Sequence, residues 1–331
     1  MISVASLWTQ FFPPRPKFTE GDVADLNGKV YIVTGATSGL GKEVARILYS
    51  KHATVYLGTR NETKTIEVID HIKKVAPSST GIIRHFHLDL GDLSSVKASA
   101  EQFLAAEKQL HVLFNNAGYM GPEGGTERTM QGHEKHLAIN CLGTFLLTKL
   151  LTPTLTATAA APGIPAGSVR VVYLSSIAAE MYSDKNVGLR LDNLDYHAEK
   201  SSKYRYGVSK LGNWAYALEL SKRLRNDGVI GVAINPGNLQ TDLFRHQSYL
   251  FRLLTGPANY PIINGAYAEL WAGLSPEITP EKAGEYAVPF GRFHPIRRDL
   301  EQNAARSEAE GGNGATSKFW DWSEKQVKQY L

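Results

Sequence analysis

Residues 202–213 read SKYRYGVSKLGN and carry side chains suited to moving a proton near neutral pH. A tyrosine hydroxyl can give or take a proton, but its ordinary pKa is about 10. A nearby ammonium favours the phenolate and draws that value toward working pH. On a helix only side chains three or four residues apart are neighbours. Lys210 stands four residues after Tyr206 and six after Tyr204, so Tyr206 is the candidate acid–base group. Two conditions attach: the segment must be helical, and a cofactor site must lie nearby.

The rest of the chain supplies elements that meet both conditions. Residues 29–35, 53–59, 81–90, 110–118, 168–176, 229–237 and 285–291 read as strands. Between them, 41–52, 61–76, a segment capped by Asp92 or Ser94 and running to about Glu107, 132–151 and 204–226 have helical spacing. Such alternation predicts an α/β protein with one doubly wound parallel sheet of about seven strands, flanked by helices. Three stretches fall outside the rhythm. PTLTATAAAPGIPAGS (153–168) reads as a surface loop. Residues 238–283 carry Phe244, Tyr249, Phe251, Leu253, Leu254 and Tyr260 and read as a lid over an at least partly apolar substrate. The chain divides into an N-terminal arm (1–27), a main domain (28–300), and a glycine-rich linker with a docking helix (301–331).

The first strand runs into TGATSGLG (34–41), whose loop from Gly35 through Ser38, Gly39 and Leu40 to Gly41 opens a helix. Glycines there let the backbone turn tightly and let a pyrophosphate approach the helix N-terminus, where free N–H groups favour anions. This is the dinucleotide-binding arrangement of a Rossmann fold. The second strand ends in LGTRN, with Thr59 where NAD sites commonly place a carboxylate and Arg60 next. A carboxylate repels a 2′-phosphate and a guanidinium grips it, so the expected cofactor is NADP(H). Asp89 and Leu90 close the third strand, and Asn115, Asn116, Ala117 and Gly118 the fourth. Asp89 is placed to meet the adenine, and Ala117 and Gly118 are small enough to lie against a ribose.

TGATSGLG, Asp89-Leu90, NNAG, Asn140, LSS (174–176), YGVSK (206–210) and NPG (235–237) followed by Thr241 come in one order over residues 28 to about 245. In this the chain resembles the short-chain dehydrogenase/reductase family. LDNLDYHAEKSSKYRYGVSKLGN and MQGHEKHLAINCLGTFLLT are similar to its retinol-dehydrogenase-like branch. The resemblance implies a catalytic set of Asn140, Ser176, Tyr206 and Lys210. Ser176 matches the catalytic position because Ile-Ala-Ala follows it, although spacing alone admits Ser175. It also implies that Lys210 holds the nicotinamide ribose, that Pro236 and Gly237 shape the nicotinamide pocket, and that Leu239 to Thr241 contact the carboxamide. The implied activity is NADP(H)-dependent hydride transfer between the nicotinamide and a ketone or aldehyde, or the matching alcohol. A reductase of a bulky biosynthetic ketone and a non-catalytic NADPH-binding scaffold or redox sensor are the alternatives.

A net charge of +4 with no run of five like charges argues against nucleic-acid binding. One cysteine, Cys141, permits no disulfide within the chain and fits a reducing, cytoplasmic setting. No cluster of metal ligands stands at suitable spacing, so no metal is expected. MISVASLWTQFFPPRP begins with an apolar stretch but has no basic start and no cleavage pattern, and it is too short to span a bilayer. It reads as an arm packed on the body, with peripheral membrane contact as the sharper alternative. The helices carrying Asn140 and Tyr206 are the candidate faces of a homodimer, as the resemblance implies.

Overall fold

The computed structural model describes residues 2–125, 127–240 and 259–331. Among them, eight strands form one sheet in the order β3-β2-β1-β4-β5-β6-β7-β8. They are β1 (Val30–Thr34), β2 (Thr54–Thr59), β3 (Ile82–His87), β4 (Val112–Asn115), β5 (Val169–Leu174), β6 (Val229–Ile234), β7 (Tyr286–Val288) and β8 (Arg292–Phe293). The first seven pair in parallel and β8 returns antiparallel beside β7. The two-residue β8 is too short to show a period in sequence. Strands β1, β4 and β6 are buried along their whole length, as apolar runs covered on both faces should be. The strand order reverses between β1 and β4, and open α/β sheets bind ligands at the carboxyl side of such a switch.

Nine helices among the described residues accompany these strands: α1 (Val4–Phe11), α2 (Gly39–Ser50), α3 (Glu62–Val75), α4 (Leu93–Ala106), α5 (Lys135–Ala159), α6 (Ala178–Tyr182), α7 (Ser202–Arg223), α8 (Ile262–Leu274) and α9 (Ala315–Val327). Val44, Ile47, Ile72, Leu270 and Trp271 bring α2, α3 and α8 onto one face of the sheet. Phe103, Phe145, Leu211 and Tyr216 bring α4, α5 and α7 onto the other. Helix α5 is long and apolar enough to cross a membrane, but most of it is buried in this packing. Asp92 caps α4, its carboxylate accepting from the Ser94 N–H at 3.0 Å.

Two features depart from the sequence reading. The expected loop at 153–168 begins inside α5, which runs through Pro153 to Ala159. Tertiary burial overrides the proline here. Leu151 and Leu155 are fully buried one turn apart, and the Thr158 hydroxyl accepts from the Leu110 N–H at 2.9 Å. The range 238–283 is not one lid either. Its second half is the core helix α8, with Trp271 fully buried, while Phe244, Tyr249, Phe251, Leu253 and Leu254 lie outside the described residues.

The arm is packed, but with its polar side inward. Ser6 and Gln10 are buried, while Val4, Trp8 and Phe12 are 82%, 66% and 54% exposed. Finally, α9 lies across α5 and α7. Phe319 stacks on Tyr216, with ring centroids 5.1 Å apart, and Trp320 meets Phe145 edge-on at 4.8 Å. Truncating a buried aromatic to alanine typically costs about 3–5 kcal/mol, so α9 is a fixed part of the domain. A homodimer through α5 and α7 would have to use what α9 leaves uncovered.

Candidate functional site

The carboxyl ends of the parallel strands open into a cleft of about 670 Å³. At one end, β1 gives way to Gly35 at φ +70°, in the left-handed region that glycine tolerates. A Cβ on Gly41 would stand 2.4 Å from Nδ2 of Asn116 and 2.9 Å from the Gly35 carbonyl oxygen. That asparagine amide donates to the Thr34 carbonyl at 2.7 Å, and the Thr34 hydroxyl accepts from the Ala117 N–H at 2.9 Å. The TGATSGLG and NNAG turns are therefore locked to each other, and Asn116 is chiefly the clamp between them. Ser38, Gly39, Leu40 and Gly41 carry the N-terminus of α2 into the cleft.

Arg60 lines the cleft from the end of β2 and is exposed. Thr59 borders the cleft beside it, with its hydroxyl 2.5 Å from that of Thr65 on α3. Asp89 and Leu90 follow β3 into the same end, and the Asp89 carboxylate accepts from the Gly91 N–H at 2.9 Å.

The other end holds Ser176, Tyr206 and Lys210. Helix α7 is set by Ser201, whose hydroxyl accepts from the Tyr204 N–H at 3.2 Å. Tyr204 points away from the cleft and donates to Asp184 at 2.6 Å. Tyr206 is buried among Met120, Ala178 and Tyr182. Burial pushes its phenol up to about 12, against a hydrogen bond with Ser176 that pulls it down. The Lys210 ammonium lies 5.7 Å from the Tyr206 ring centroid and donates to the Leu174 carbonyl at 2.8 Å. Burial brings Lys210 down to about 8. The two serines separate: Ser175 donates to the Lys210 carbonyl at 2.8 Å and braces the helix, and Ser176 is the one beside Tyr206.

Asn140 sits behind this wall, fully buried, in a π-helical turn (Ala138–Leu142) within α5. Such turns re-aim side chains and recur at functional sites. Its Oδ1 accepts from the Tyr119 N–H at 2.7 Å, and its Nδ2 donates to the Tyr119 carbonyl and to Ser209 Oγ, both at 2.9 Å. A Cβ on Gly118 would come within 3.2 Å of the Lys210 ammonium. The thiol of Cys141 is fully buried, and burial raises its pKa well above the usual range.

Gly35, Ser38, Gly39, Leu40, Gly41, Arg60, Asp89, Leu90, Asn116, Ala117, Gly118, Ser176, Tyr206, Lys210, Pro236, Gly237 and Leu239 thus border one cleft. Thr241 lies outside the described residues.

Residues 29–187 match the short chain dehydrogenase family profile. A short-chain dehydrogenase/reductase of Phomopsis amygdali is 49% identical over 99% of this chain and 98% of its own length. Short-chain dehydrogenase/reductase bet4 of Neocamarosporium betae is 46% identical over 99% and 94%. The chain belongs to the short-chain dehydrogenase/reductase family. An uncharacterized Mycobacterium paratuberculosis protein, 26% identical, superposes with a TM-score of 0.66 over 94% of this chain and 97% of that one. Two more distant structures with the fold differ in cofactor. A blue fluorescent protein from a metagenomic library is complexed with NADPH (21% identity, TM-score 0.58, 80% and 96% covered). A 3-ketoacyl-(acyl-carrier-protein) reductase from Brucella melitensis is complexed with NADH (20%, 0.60, 79% and 96%).

In this short-chain dehydrogenase/reductase the sequence reading passed over several cleft residues. Lys135 and Ile139 line it from α5, and their four-residue spacing, ending one residue before Asn140, was the available signal. Also missed was a buried pair beside Tyr206. His136 Nδ1 lies 2.6 Å from Glu134 Oε1, and its Nε2 accepts from the Gly121 N–H at 2.9 Å. That pair fixes the Tyr119–Gly121 wall. Glu269 of α8 is fully buried with neither carboxyl oxygen partnered, and burial pushes it up to about 8 against the attraction of Lys210.

Proposed function

We propose that the protein is an NADP(H)-dependent carbonyl reductase, reversible as an alcohol dehydrogenase. The observation that carries this reading is the single cleft with an exposed guanidinium at one end and Ser176, Tyr206 and Lys210 together at the other. The fit to a dinucleotide rests on the glycine turn, where Cβ atoms would fill the space against Asn116 and Ala117, and on the helix N-terminus beside it. Gly35 to Gly41 would hold the pyrophosphate, Asp89 and Leu90 the adenine end, Arg60 the 2′-phosphate, and Lys210, Pro236, Gly237 and Leu239 the nicotinamide end.

When bound, the nicotinamide supplies or takes up the hydride. Tyr206 gives its proton to the developing alkoxide in reduction and takes it from the alcohol in oxidation. Ser176 holds the reacting oxygen and stabilises its charge. Lys210 lowers the cost of the phenolate, and Asn140 links Lys210 to solvent through a water. The apolar surroundings of Tyr206 favour an apolar carbonyl substrate. The similarity to the retinol-dehydrogenase-like branch points the same way.

The experiment is NADPH consumption over a panel of ketones, aldehydes and quinones, with NADH as control. Arg60→Ala is expected to weaken NADPH binding by about 10–100-fold, the worth of a charge-assisted contact, and to leave NADH within about twofold. A wild-type preference for NADH would remove Arg60 from this role.

The exposed stripe of Val4, Trp8 and Phe12, followed by exposed Arg15 and Lys17, suits peripheral contact with an anionic lipid surface from the cytoplasmic side. The wild type is expected to float with phosphatidylserine vesicles more than with neutral ones, and Trp8→Glu to stay behind. Failure of the wild type to float with either would end that part of the reading.

A further inference from the structure

We propose that the N-terminal helix α1 is a working part of the active site, with Gln10 a positioning residue for the turn at the nicotinamide end of the cleft. The proposal rests on the cofactor reading above.

Gln10 is 1% exposed and all of its amide's contacts run inward. Its Oε1 accepts from Nδ2 of Asn235 at 2.8 Å. Its Nε2 donates to Glu180 Oε2 at 2.7 Å and to Ser6 Oγ at 3.0 Å. Asn235 lines the cleft and leads into Pro236 and Gly237. Its Oδ1 accepts from the Gly237 N–H at 3.1 Å, and Gly237 is held at φ +99°. Engaging the nitrogen end of that amide leaves its oxygen for Gly237, so Gln10 fixes which way Asn235 faces.

Glu180 ties the same amide to the catalytic serine's neighbourhood. It lies in α6, four residues past Ser176, and its other oxygen accepts from the Arg297 N–H at 2.8 Å. Gln10 therefore bridges the segments that follow β5 and β6, which carry Ser176 and the Pro236-Gly237 turn. The helix is itself anchored. Ser3 caps it, accepting from the Ser6 N–H at 3.0 Å; Arg292 donates to the Thr9 hydroxyl at 3.0 Å and its carbonyl at 2.9 Å; Tyr260 donates to the Phe11 carbonyl at 3.2 Å. Buried polar groups need partners. Without Gln10, the Asn235 amide and the Glu180 carboxylate each lose one, and the turn is free to shift.

The test compares full-length wild type, Gln10→Leu and Gln10→Glu. Gln10→Leu is expected to lower kcat with NADPH by about 10–100-fold, as a misplacement near 1 Å does. The dissociation constant of NADPH, read by its fluorescence, should change less than about threefold, because phosphate contacts elsewhere in the cleft hold most of the affinity. Gln10→Glu sets a second carboxyl against Glu180. The two repel when both are ionised and share a proton at lower pH, and burial already raises the Glu180 carboxyl, so the variant's kcat should recover relative to wild type as pH falls, beginning above the usual carboxylate range.

The other titratable or charged groups facing Glu180 are Arg297, Asp299 and Tyr286. Against its own burial, Asp299 is held below the usual range by the Arg297 guanidinium, and burial keeps the Tyr286 phenol neutral. Wild-type kcat in both variants overturns the proposal. So does a kcat loss matched by lower melting temperature and weaker NADPH binding, with no recovery at low pH. A wild type whose addition changes the fluorescence of neither NADPH nor NADH overturns the cofactor reading instead, and this proposal with it.

Discussion

Tyr206→Phe is expected to lower turnover by about 10²–10⁴-fold, the usual contribution of a positioned acid–base group, while NADPH still binds. The substitution deletes one hydroxyl and keeps the ring, which is 6% exposed against Met120, Ala178 and Tyr182. The fold loses at most one hydrogen bond, the hydroxyl's interaction with Ser176, worth no more than about 0.5–1.5 kcal/mol. Proton transfer loses its donor: a phenyl ring cannot protonate an alkoxide, and Tyr204 is committed to Asp184. The check is NADPH oxidation on the best carbonyl of the panel beside NADPH binding by fluorescence. Full turnover in the variant would refute the role of Tyr206. Loss of both turnover and binding would point to a collapsed cleft instead.

Much of this site is legible in the sequence because it is built from strand ends. Each strand of a parallel sheet delivers its last residues to one edge, so Gly35, Arg60, Asp89, Gly118, Ser176 and Gly237 needed only their strands to be recognised. Helical spacing did the same for Tyr206 and Lys210. What was not legible depends on contacts far apart in the chain. Gln10 meets Glu180 and Asn235 across intervals of 170 and 225 residues, and no local pattern marks a glutamine that will be buried. The sequence marked the arm as apolar but carried no sign of which side packs inward. Pro153 misled because its local preference is for a helix end, whereas Leu155 and Thr158 have partners that reward continuing. The serine choice was a matter of which hydroxyl turns toward α7, and adjacent residues on a strand end differ only in that.

Lys210→Met is expected to move the ascending limb of alcohol oxidation to higher pH, by about 1–3 on the pH scale, the range over which a neighbouring charge moves a titrating group. Oxidation needs Tyr206 as phenolate. Burial, against the pull of Ser176, holds its phenol up to about 12, so at neutral pH something must favour the charged form. The Lys210 ammonium, 5.7 Å from the ring, is the near cation. Opposite charge lowers a phenol's pKa, and removing it raises that value. At a fixed pH below the limb, the phenolate fraction falls about tenfold for every pH step the limb climbs. The variant is therefore slow at neutral pH and recovers as pH rises.

The wild type has an opposing limit. Its own ammonium titrates near 8, below which the charge is present and above which it is lost. Methionine keeps an unbranched apolar stem in a position that Gly118 keeps narrow, and a Cβ on that glycine would already stand 3.2 Å from the ammonium. The measurement is kcat/KM for an alcohol against pH in wild type and variant. Superimposable limbs would remove Lys210 from the proton chemistry. A uniform drop with an unmoved limb would leave it only the ribose contact.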